Sequence, residues 1–310
     1  MKASLIAIAI AISMQANAAT DLAAHAWIHG AKDCTTNRDP AIEVLQFDAA
    51  TYVLRQNKCV HAEAPFIYVL FGEHTVFVQD TGATEDAAAF PLHETVQGLI
   101  AQRMARSPGQ TLKILVTHSH GHRDHTAADS QFRGKPGVTL VEANAKAVRQ
   151  FFGFTDWPAG LAKLELGGRT LEIVPAPGHQ DEGIAVHDSR TGWLLTGDTL
   201  YPGRLYVKNW NEYRATIARL EGFSSTRAVS AVLGTHIEMS AAGTLFPAGS
   251  SFQPREASLV LGGEDLSTLH KALQKAGEKP QDIDLKKFVV APISGLQRFV
   301  GSVLKWVGGP

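Results

Sequence analysis

Net charge, cysteine and long apolar runs are all scarce in this sequence of 310 residues. The formal net charge is −1 and no basic patch is dense enough for a nucleic-acid footprint, so we expect no nucleic-acid partner and a small substrate that is not a polyanion. No apolar run is as long as a membrane span, and no low-complexity linker stands out. Because 45% of the residues are apolar, a substantial core can form, and we expect a single domain over 20–310.

The first 19 residues have the features of a secretory signal peptide. Lys2 supplies a positive charge, residues 5–12 form a short apolar run, and residues 16–19 include the small residues that a signal peptidase cuts. We therefore expect a periplasmic or secreted protein without stable membrane anchoring. A buried N-terminal helix is the alternative interpretation.

Only two cysteines occur, Cys34 and Cys59, and neither belongs to a Cys-x-x-Cys pair. In the oxidising compartment that a signal peptide implies, one disulfide between them is the economical pairing. Closing a loop of this length is worth about 3 kcal/mol in the chain-entropy treatment. The alternative is that they bind a metal or act as a nucleophile, which their distance upstream of the histidines at 118–125 disfavours.

Short β-rich runs alternate with segments of helical periodicity along most of the chain. Two β-rich halves in sequence, each with helices to cover a sheet, predict an α/β (α+β) fold. The expected architecture is a four-layer αβ/βα sandwich of two mixed β-sheets flanked by helices. We predict strands at 44–47, 52–54, 66–71, 76–78, 112–116, 138–141, 171–174, 184–186, 193–195 and 231–233, and helices at 93–106, 144–152, 211–220 and 264–276.

Four histidines and an aspartate follow the apolar run 112–116 within eight residues. They are His118, His120, His122, Asp124 and His125. Imidazole nitrogens and carboxylates are the ligands that zinc and related first-row ions prefer. A solvated loop gains nothing from five such side chains, so the segment predicts a metal site at the end of a strand.

Four further metal-competent side chains follow predicted strands, each beside or near a glycine. They are Asp80, His179, Asp198 and His236. Glycine lets the backbone approach closely, and the loops at strand ends are where a sandwich exposes a site. We therefore expect these residues to complete one metal centre with the histidine segment.

In this order the motifs resemble those of the metallo-β-lactamase superfamily. The family's His-x-His-x-Asp-His signature is matched by residues 120–125, and its later histidine, aspartate and histidine by His179, Asp198 and His236. The resemblance covers about half of the chain and implies a single metallo-β-lactamase-like domain. Its motif core would span about 40–240, followed by a C-terminal extension at about 241–310.

The resemblance implies a centre of two metal ions, with Zn²⁺ expected and Fe or Mn as alternatives. An aspartate at position 198 is similar to the bridging aspartate of glyoxalase II-like and lactonase-like hydrolases, whereas lactamases tend to place cysteine or serine there. Asp80 matches a residue that orients the metal loop. The implied ligands are His120, His122 and His179 for one ion, Asp124, His125 and His236 for the other, and Asp198 between them.

Two metal ions lower the pKa of a shared water, so a bridging hydroxide is expected to attack a carbonyl that one ion polarises. Asp124 is a candidate for guiding the proton away. Tyr201 resembles a tyrosine that donates to the substrate carbonyl in lactonase-like members. The alternative is that Tyr201 packs under its loop with Tyr206 and Trp210.

Three further polar residues near these motifs have open roles. His118 is not required by the family signature, so we expect it to support the site rather than to bind metal. Arg204 and Lys208 either bind a substrate carboxylate or are solvated charges. The loop at 243–254, rich in glycine, proline and serine, is the candidate surface or lid segment.

The sequence as a whole predicts an exported, binuclear zinc hydrolase acting on a small ester, thioester, lactone or amide. A periplasmic β-lactamase is the nearest alternative, and aspartate at 198 disfavours it. An iron-dependent oxygenase of persulfide chemistry and a non-catalytic zinc-dependent binding module are the others. The substrate and the oligomeric state are not determined by these patterns.

Overall fold

The computed structural model describes residues 21–107 and 109–293. The predicted signal peptide at 1–19 and the end of the chain lie outside these ranges. Among the described residues, no helix combines the length and apolar character that crossing a membrane requires.

The first sheet has six strands in sequential order. Its first four strands form an antiparallel meander, and the fourth, fifth and sixth run parallel to one another. The strands are β1 (Ile42–Asp48), β2 (Thr51–Gln56), β3 (Phe66–Phe71), β4 (Thr75–Gln79), β5 (Lys113–Thr117) and β6 (Val138–Leu140).

The second sheet also has six strands, and a small third sheet lies beyond it. In the second sheet β7 to β10 are antiparallel neighbours, β12 runs parallel to β10, and β13 closes the edge. Its strands are β7 (Ala162–Glu165), β8 (Thr170–Pro175), β9 (Ile184–Asp188), β10 (Trp193–Gly197), β12 (Ala231–Gly234) and β13 (Val260–Leu261). The third sheet contains β11 (Arg204–Val207), β14 (Ile283–Asp284) and β15 (Val289–Pro292).

Five α-helices accompany the sheets in the described ranges. Asn144 and Asn209 cap two of them, because each side chain accepts a hydrogen bond from a backbone N–H in the first turn. The first of these caps confirms the predicted helix start. The helices are α1 (Leu92–Ala105), α2 (Arg123–Thr126), α3 (Ala145–Phe152), α4 (Trp210–Ser224) and α5 (Gly263–Ala276).

Side chains on alternate faces of the central strands separate the core into layers. In β3, Tyr68 and Leu70 face the core between the two sheets, whereas Ile67 and Val69 pack in the cluster that includes α1. On the outer face of the second sheet, Leu194 packs in the cluster formed with α4 and α5. This arrangement confirms the predicted four-layer αβ/βα sandwich.

One ion pair is buried between the two sheets. The Arg169 guanidinium donates to both carboxylate oxygens of Asp188, at 2.9 and 2.6 Å, and each side chain is at most 1% exposed. The same guanidinium donates to the Ala50 carbonyl at 2.7 Å and to the Thr51 hydroxyl at 3.1 Å, across in the first sheet. Arg169 therefore satisfies polar groups of both sheets at once.

Cys34 and Cys59 form the predicted disulfide, with their Cα atoms 5.2 Å apart. The bond ties the segment before β1 to the turn after β2. The double variant Cys34→Ser, Cys59→Ser is expected to lose about 3 kcal/mol of unfolding free energy, because the open chain gains entropy. Urea denaturation of the variant measures this, and the reduced wild-type protein serves as the control. Equal stability of oxidised, reduced and double-variant protein would contradict the expectation.

Candidate metal centre

The carboxyl ends of five strands meet at one edge of the sandwich. Asp80 directly follows β4 and His118 directly follows β5. Because these two strands are parallel neighbours in the first sheet, both residues lie at the same edge. His179, Asp198 and His236 follow β8, β10 and β12 of the second sheet. Strand direction alone therefore brings residues far apart in sequence into one cluster.

Gly197 allows the end of β10 to reach the histidine loop. Its φ is +53°, a left-handed conformation that residues with a side chain rarely adopt, and a Cβ there would lie 2.5 Å from the Ser119 Cβ. The next residue, Asp198, is thereby placed directly beside the loop that carries His120.

The first group of potential ligands contains His120, His122, His179 and Asp198, whose candidate ligand atoms all lie within 4.8 Å of one another. The His122 Nδ1 lies 2.9 Å from the His120 Nε2 and 3.1 Å from the His179 Nε2. The Asp198 Oδ2 lies 3.7 Å from the His120 Nε2 and 3.5 Å from the His179 Nε2. Three imidazole nitrogens and one carboxylate oxygen therefore converge on a common point.

The second group contains Asp124, His125, His236 and again Asp198, also within 4.8 Å. The Asp124 Oδ2 lies 3.2 Å from the His125 Nε2 and 3.3 Å from the His236 Nε2. The Asp198 Oδ1 lies 3.6 and 3.4 Å from the same two nitrogens. The two oxygens of Asp198 thus face different groups.

The outer nitrogens of three histidines are held by oxygen acceptors. The His179 Nδ1 donates to the Tyr206 carbonyl at 2.7 Å, and the His236 Nδ1 donates to the Glu63 carbonyl at 3.1 Å. A carbonyl only accepts, so each Nδ1 carries a proton and each Nε2 is the nitrogen that faces the cluster. Asp80 holds the His125 Nδ1 in the same way at 3.1 Å, as expected of a residue that orients the metal loop.

The electrostatics of the cluster favour neutral imidazoles beside ionised carboxylates in the first group. Burial lowers the pKa of His122 to about 4 and holds the pKa of His120 well below its usual range. Burial alone would raise the pKa of Asp198, but the histidines around it, His236 and His125 foremost, hold that pKa well below its usual range. A neutral imidazole and a carboxylate are the forms that bind a metal cation.

The second group favours positive charge at its centre. Burial disfavours the charged form of His236, yet Asp198 and Asp124 outweigh it and raise the pKa of this imidazole to about 9. The carboxylates therefore stabilise a positive charge between them. A bound metal ion would supply that charge in place of a proton.

His118 has no nitrogen left for a metal. Its Nδ1 lies 3.1 Å from the Val141 carbonyl oxygen and its Nε2 lies 2.8 Å from the Asp129 carboxylate. The structure therefore places it as a support beneath the histidine loop, in line with the expectation.

Tyr201 lies beside the cluster with its hydroxyl directed elsewhere. Its side chain is buried and its ring packs edge-on against His236 at 5.5 Å between centroids. The hydroxyl donates to the Arg204 carbonyl and lies 3.1 Å from the Glu238 carboxylate. This geometry favours the packing alternative, and the predicted donation to substrate finds no support in it.

The two basic residues near Tyr201 differ in their surroundings. Lys208 pairs with Asp181 at 3.1 Å, and both side chains are exposed. The Arg204 side chain lines a cavity instead. Among the described residues, neither side chain forms a hydrogen bond or an ion pair with a candidate metal ligand.

Some supporting groups leave no signal in the sequence. The Glu63 and Tyr206 carbonyls that hold two histidines are backbone atoms, which any residue could supply. The hydroxyl of Thr235 donates to Asp198, and its only sequence signal is its place next to His236.

Comparison with known proteins supports the class that fold and site define. The sequence model of the metallo-beta-lactamase superfamily matches residues 62–283, well over half of the chain. The acyl-coenzyme A thioesterase MBLAC2 of Bos taurus is 26% identical over 221 residues, which cover 60% of this chain and 77% of that protein. A hydroxyacylglutathione hydrolase of Anaeromyxobacter dehalogenans is 31% identical over 119 residues, 34% of this chain and 44% of that protein.

A solved structure, that of TMB-1, is similar in fold. It superposes with a TM-score of 0.51 at 16% identity and covers 77% of this chain and 99% of that one. Taken together, the sandwich and its histidine and aspartate cluster define a metal-dependent hydrolase. The chain belongs to the metallo-beta-lactamase superfamily.

Proposed function

We propose that this protein is an exported, binuclear zinc hydrolase that cleaves a thioester of a small molecule. The placement of Asp198 carries the proposal, because its two carboxylate oxygens face two separate groups of histidines. One shared carboxylate between two nitrogen-rich groups is the donor arrangement that suits a pair of metal ions.

The donor chemistry fits zinc in both groups. Each group supplies imidazole nitrogens and carboxylate oxygens, with neither sulfur nor an all-oxygen shell. The first ion would be held by His120, His122, His179 and Asp198, and the second by Asp124, His125, His236 and Asp198. When bound, such ions lower the pKa of water toward neutrality and polarise a carbonyl group.

The residues of the chain supply position and a route for protons. Thr235 donates to Asp198 and so fixes the shared carboxylate, and Asp80 fixes the His125 ring. The Asp124 side chain is 21% exposed, which leaves its carboxylate between the buried cluster and solvent. Asp124 is therefore placed to pass a proton from the site to the outside.

Two similar proteins support a thioester as the substrate. The names of the thioesterase and of the hydroxyacylglutathione hydrolase both describe cleavage of a thioester bond to a small thiol. The bridging aspartate at 198 agrees with a hydrolase of that kind. The disulfide between Cys34 and Cys59 supports the proposed export, because such bonds persist in oxidising compartments.

A substrate panel with metal analysis tests this function. We expect the purified protein to release free thiol from acyl-coenzyme A or acylglutathione with a higher kcat/KM than it shows toward an aryl ester, a lactone or a cephalosporin. Preference for the cephalosporin would instead indicate a β-lactamase. Bound iron together with oxygen consumption would indicate an oxygenase. Sequencing the mature N-terminus of the exported protein tests cleavage after residue 19.

A further inference from the structure

A cavity of about 110 Å³ adjoins the residues whose carbonyls hold His179 and His236. The turn after β2 and the segment after His236 form most of its walls. Its polar lining consists of Lys58, Glu63, Arg204, Tyr206, Glu238 and Gln253.

The cavity shares its walls with the metal centre. Glu63 lines it with its side chain, and the same residue's carbonyl accepts from His236. Tyr206 also lines it, while its carbonyl accepts from His179. A molecule in the cavity would thus lie against residues that hold one histidine of each ligand group.

Several polar groups of this cavity have few or no partners. Gln253 is 4% exposed, and its side-chain oxygen accepts no hydrogen bond within residues 21–107 and 109–293. Lys58 is 3% exposed, and its Nζ donates only to the Ala62 carbonyl at 3.0 Å among the described residues. The Arg204 guanidinium has neither a hydrogen bond nor an ion pair with any residue the structure describes. A buried polar atom without a partner is costly, so a ligand that pairs with the Gln253 oxygen is favoured, and the half-buried Arg204 guanidinium is free to pair with the same ligand.

The charges of the cavity are of both signs. Lys58 and Arg204 are cationic, and burial lowers the pKa of the former to about 8, which still leaves it charged at neutral pH. Glu63 and Glu238 are the opposing carboxylates. The Glu238 Oε2 already accepts from the Arg204 backbone N–H at 2.9 Å, whereas the Glu63 carboxylate pairs with no group in the described part of the chain.

We propose that this cavity binds the zwitterionic α-amino-acid end of the thiol portion of the substrate. The ligand's carboxylate would pair with Arg204 and Lys58, and its ammonium group with Glu63 and Glu238. A purely anionic group would not pair with the exposed Glu63 carboxylate, and an apolar acyl chain would pair with neither Glu63 nor Arg204. The inference rests on the proposed function, since it assigns the substrate of the same site.

Binding of a thioether that cannot be hydrolysed tests the cavity separately from turnover. We expect S-methylglutathione, which carries such an end, to bind the metal-loaded protein in a calorimetric titration. Its N-acetyl derivative and its monoethyl ester at the γ-glutamyl α-carboxylate are each expected to bind at least about tenfold more weakly, because each loses one charge of that end. Equal affinity for all three compounds would overturn the inference.

Two variants locate the binding in the cavity. Arg204→Gln is expected to weaken S-methylglutathione at least about tenfold, whereas the matched control Lys208→Gln, a cation paired outside the cavity, keeps wild-type affinity. Gln253→Leu is expected to weaken binding while leaving the melting temperature unchanged or higher, because it removes a buried amide oxygen without a partner. Unaltered binding by both cavity variants would refute the assignment.

The outcomes also separate this inference from the proposed function. Thioester turnover with no preference for an amino-acid-bearing thiol would refute the inference and keep the function. Charge-dependent binding of S-methylglutathione without any thioester turnover would refute the function and keep the cavity as a ligand site.

Discussion

Replacing Asp198 with alanine is expected to lower thioester hydrolysis by on the order of a thousandfold or more. The reason is that Asp198 belongs to both ligand groups, so its loss leaves five histidines facing one another with Asp124 as the one carboxylate that remains in the two groups. Metal content measured on the same sample is expected to fall with activity. Steady-state assays of the variant with added metal check that the loss of hydrolysis is not caused by weaker metal affinity alone.

Asp181→Ala is the matched control for this variant. Asp181 follows the same strand as His179, but it is 62% exposed and, within the described part of the chain, pairs only with Lys208. Its removal is expected to leave turnover and metal content at the wild-type level. An intermediate effect is expected for Thr235→Val, which deletes the hydrogen bond to Asp198. This variant is expected to lower thioester hydrolysis about 10- to 100-fold. Full activity of the Asp198→Ala protein would contradict the bridging role.

Arg169→Met is expected to lower the free energy of unfolding by about 3–5 kcal/mol. The substitution keeps the apolar stem but leaves the Asp188 carboxylate buried without its cation, and it also frees the Ala50 carbonyl. Burial would raise the pKa of Asp188, and Arg169 is the main group that keeps it low. Urea denaturation followed by tryptophan fluorescence measures the change.

A surface ion pair provides the comparison. Arg133 and Glu142 are paired but both are more than half exposed, so Arg133→Gln is expected to cost less than about 1 kcal/mol. Equal effects of the two substitutions would show that the buried contacts of Arg169 do not hold the two sheets together.

The candidate ligands that converge in the structure were predictable, because metal chemistry limits the choice of side chain. His120, His122 and His125 lie together in sequence, and a strand with a known direction leads to each later motif. The side chains of β3 point alternately to two faces of the sheet, and both faces are buried. The sequence shows this as a continuous apolar run. These features depend on local spacing, and local spacing is visible in a sequence.

Features that depend on distant backbone atoms were not predictable. The short strands β13 and β14 contain two residues each and carry no periodicity. The loop at 243–254 was expected to be a surface or lid segment. Its end is held by two backbone hydrogen bonds, in which the Gln253 N–H donates to the His29 carbonyl and the Ala31 N–H donates to the Ser251 carbonyl. The position of the Tyr201 hydroxyl depends on Glu238, which only the folded chain brings near.

Metal stoichiometry, measured on protein purified without added metal, tests the central claim most directly. We expect two zinc ions per chain in the wild-type protein, and fewer than one in the Asp198→Ala protein, with hydrolysis lost in parallel. Removing the zinc with a chelator is expected to abolish thioester hydrolysis, and restoring it to bring the activity back. An active wild-type protein that holds no metal, or a single ion unaffected by Asp198→Ala, would contradict the binuclear site.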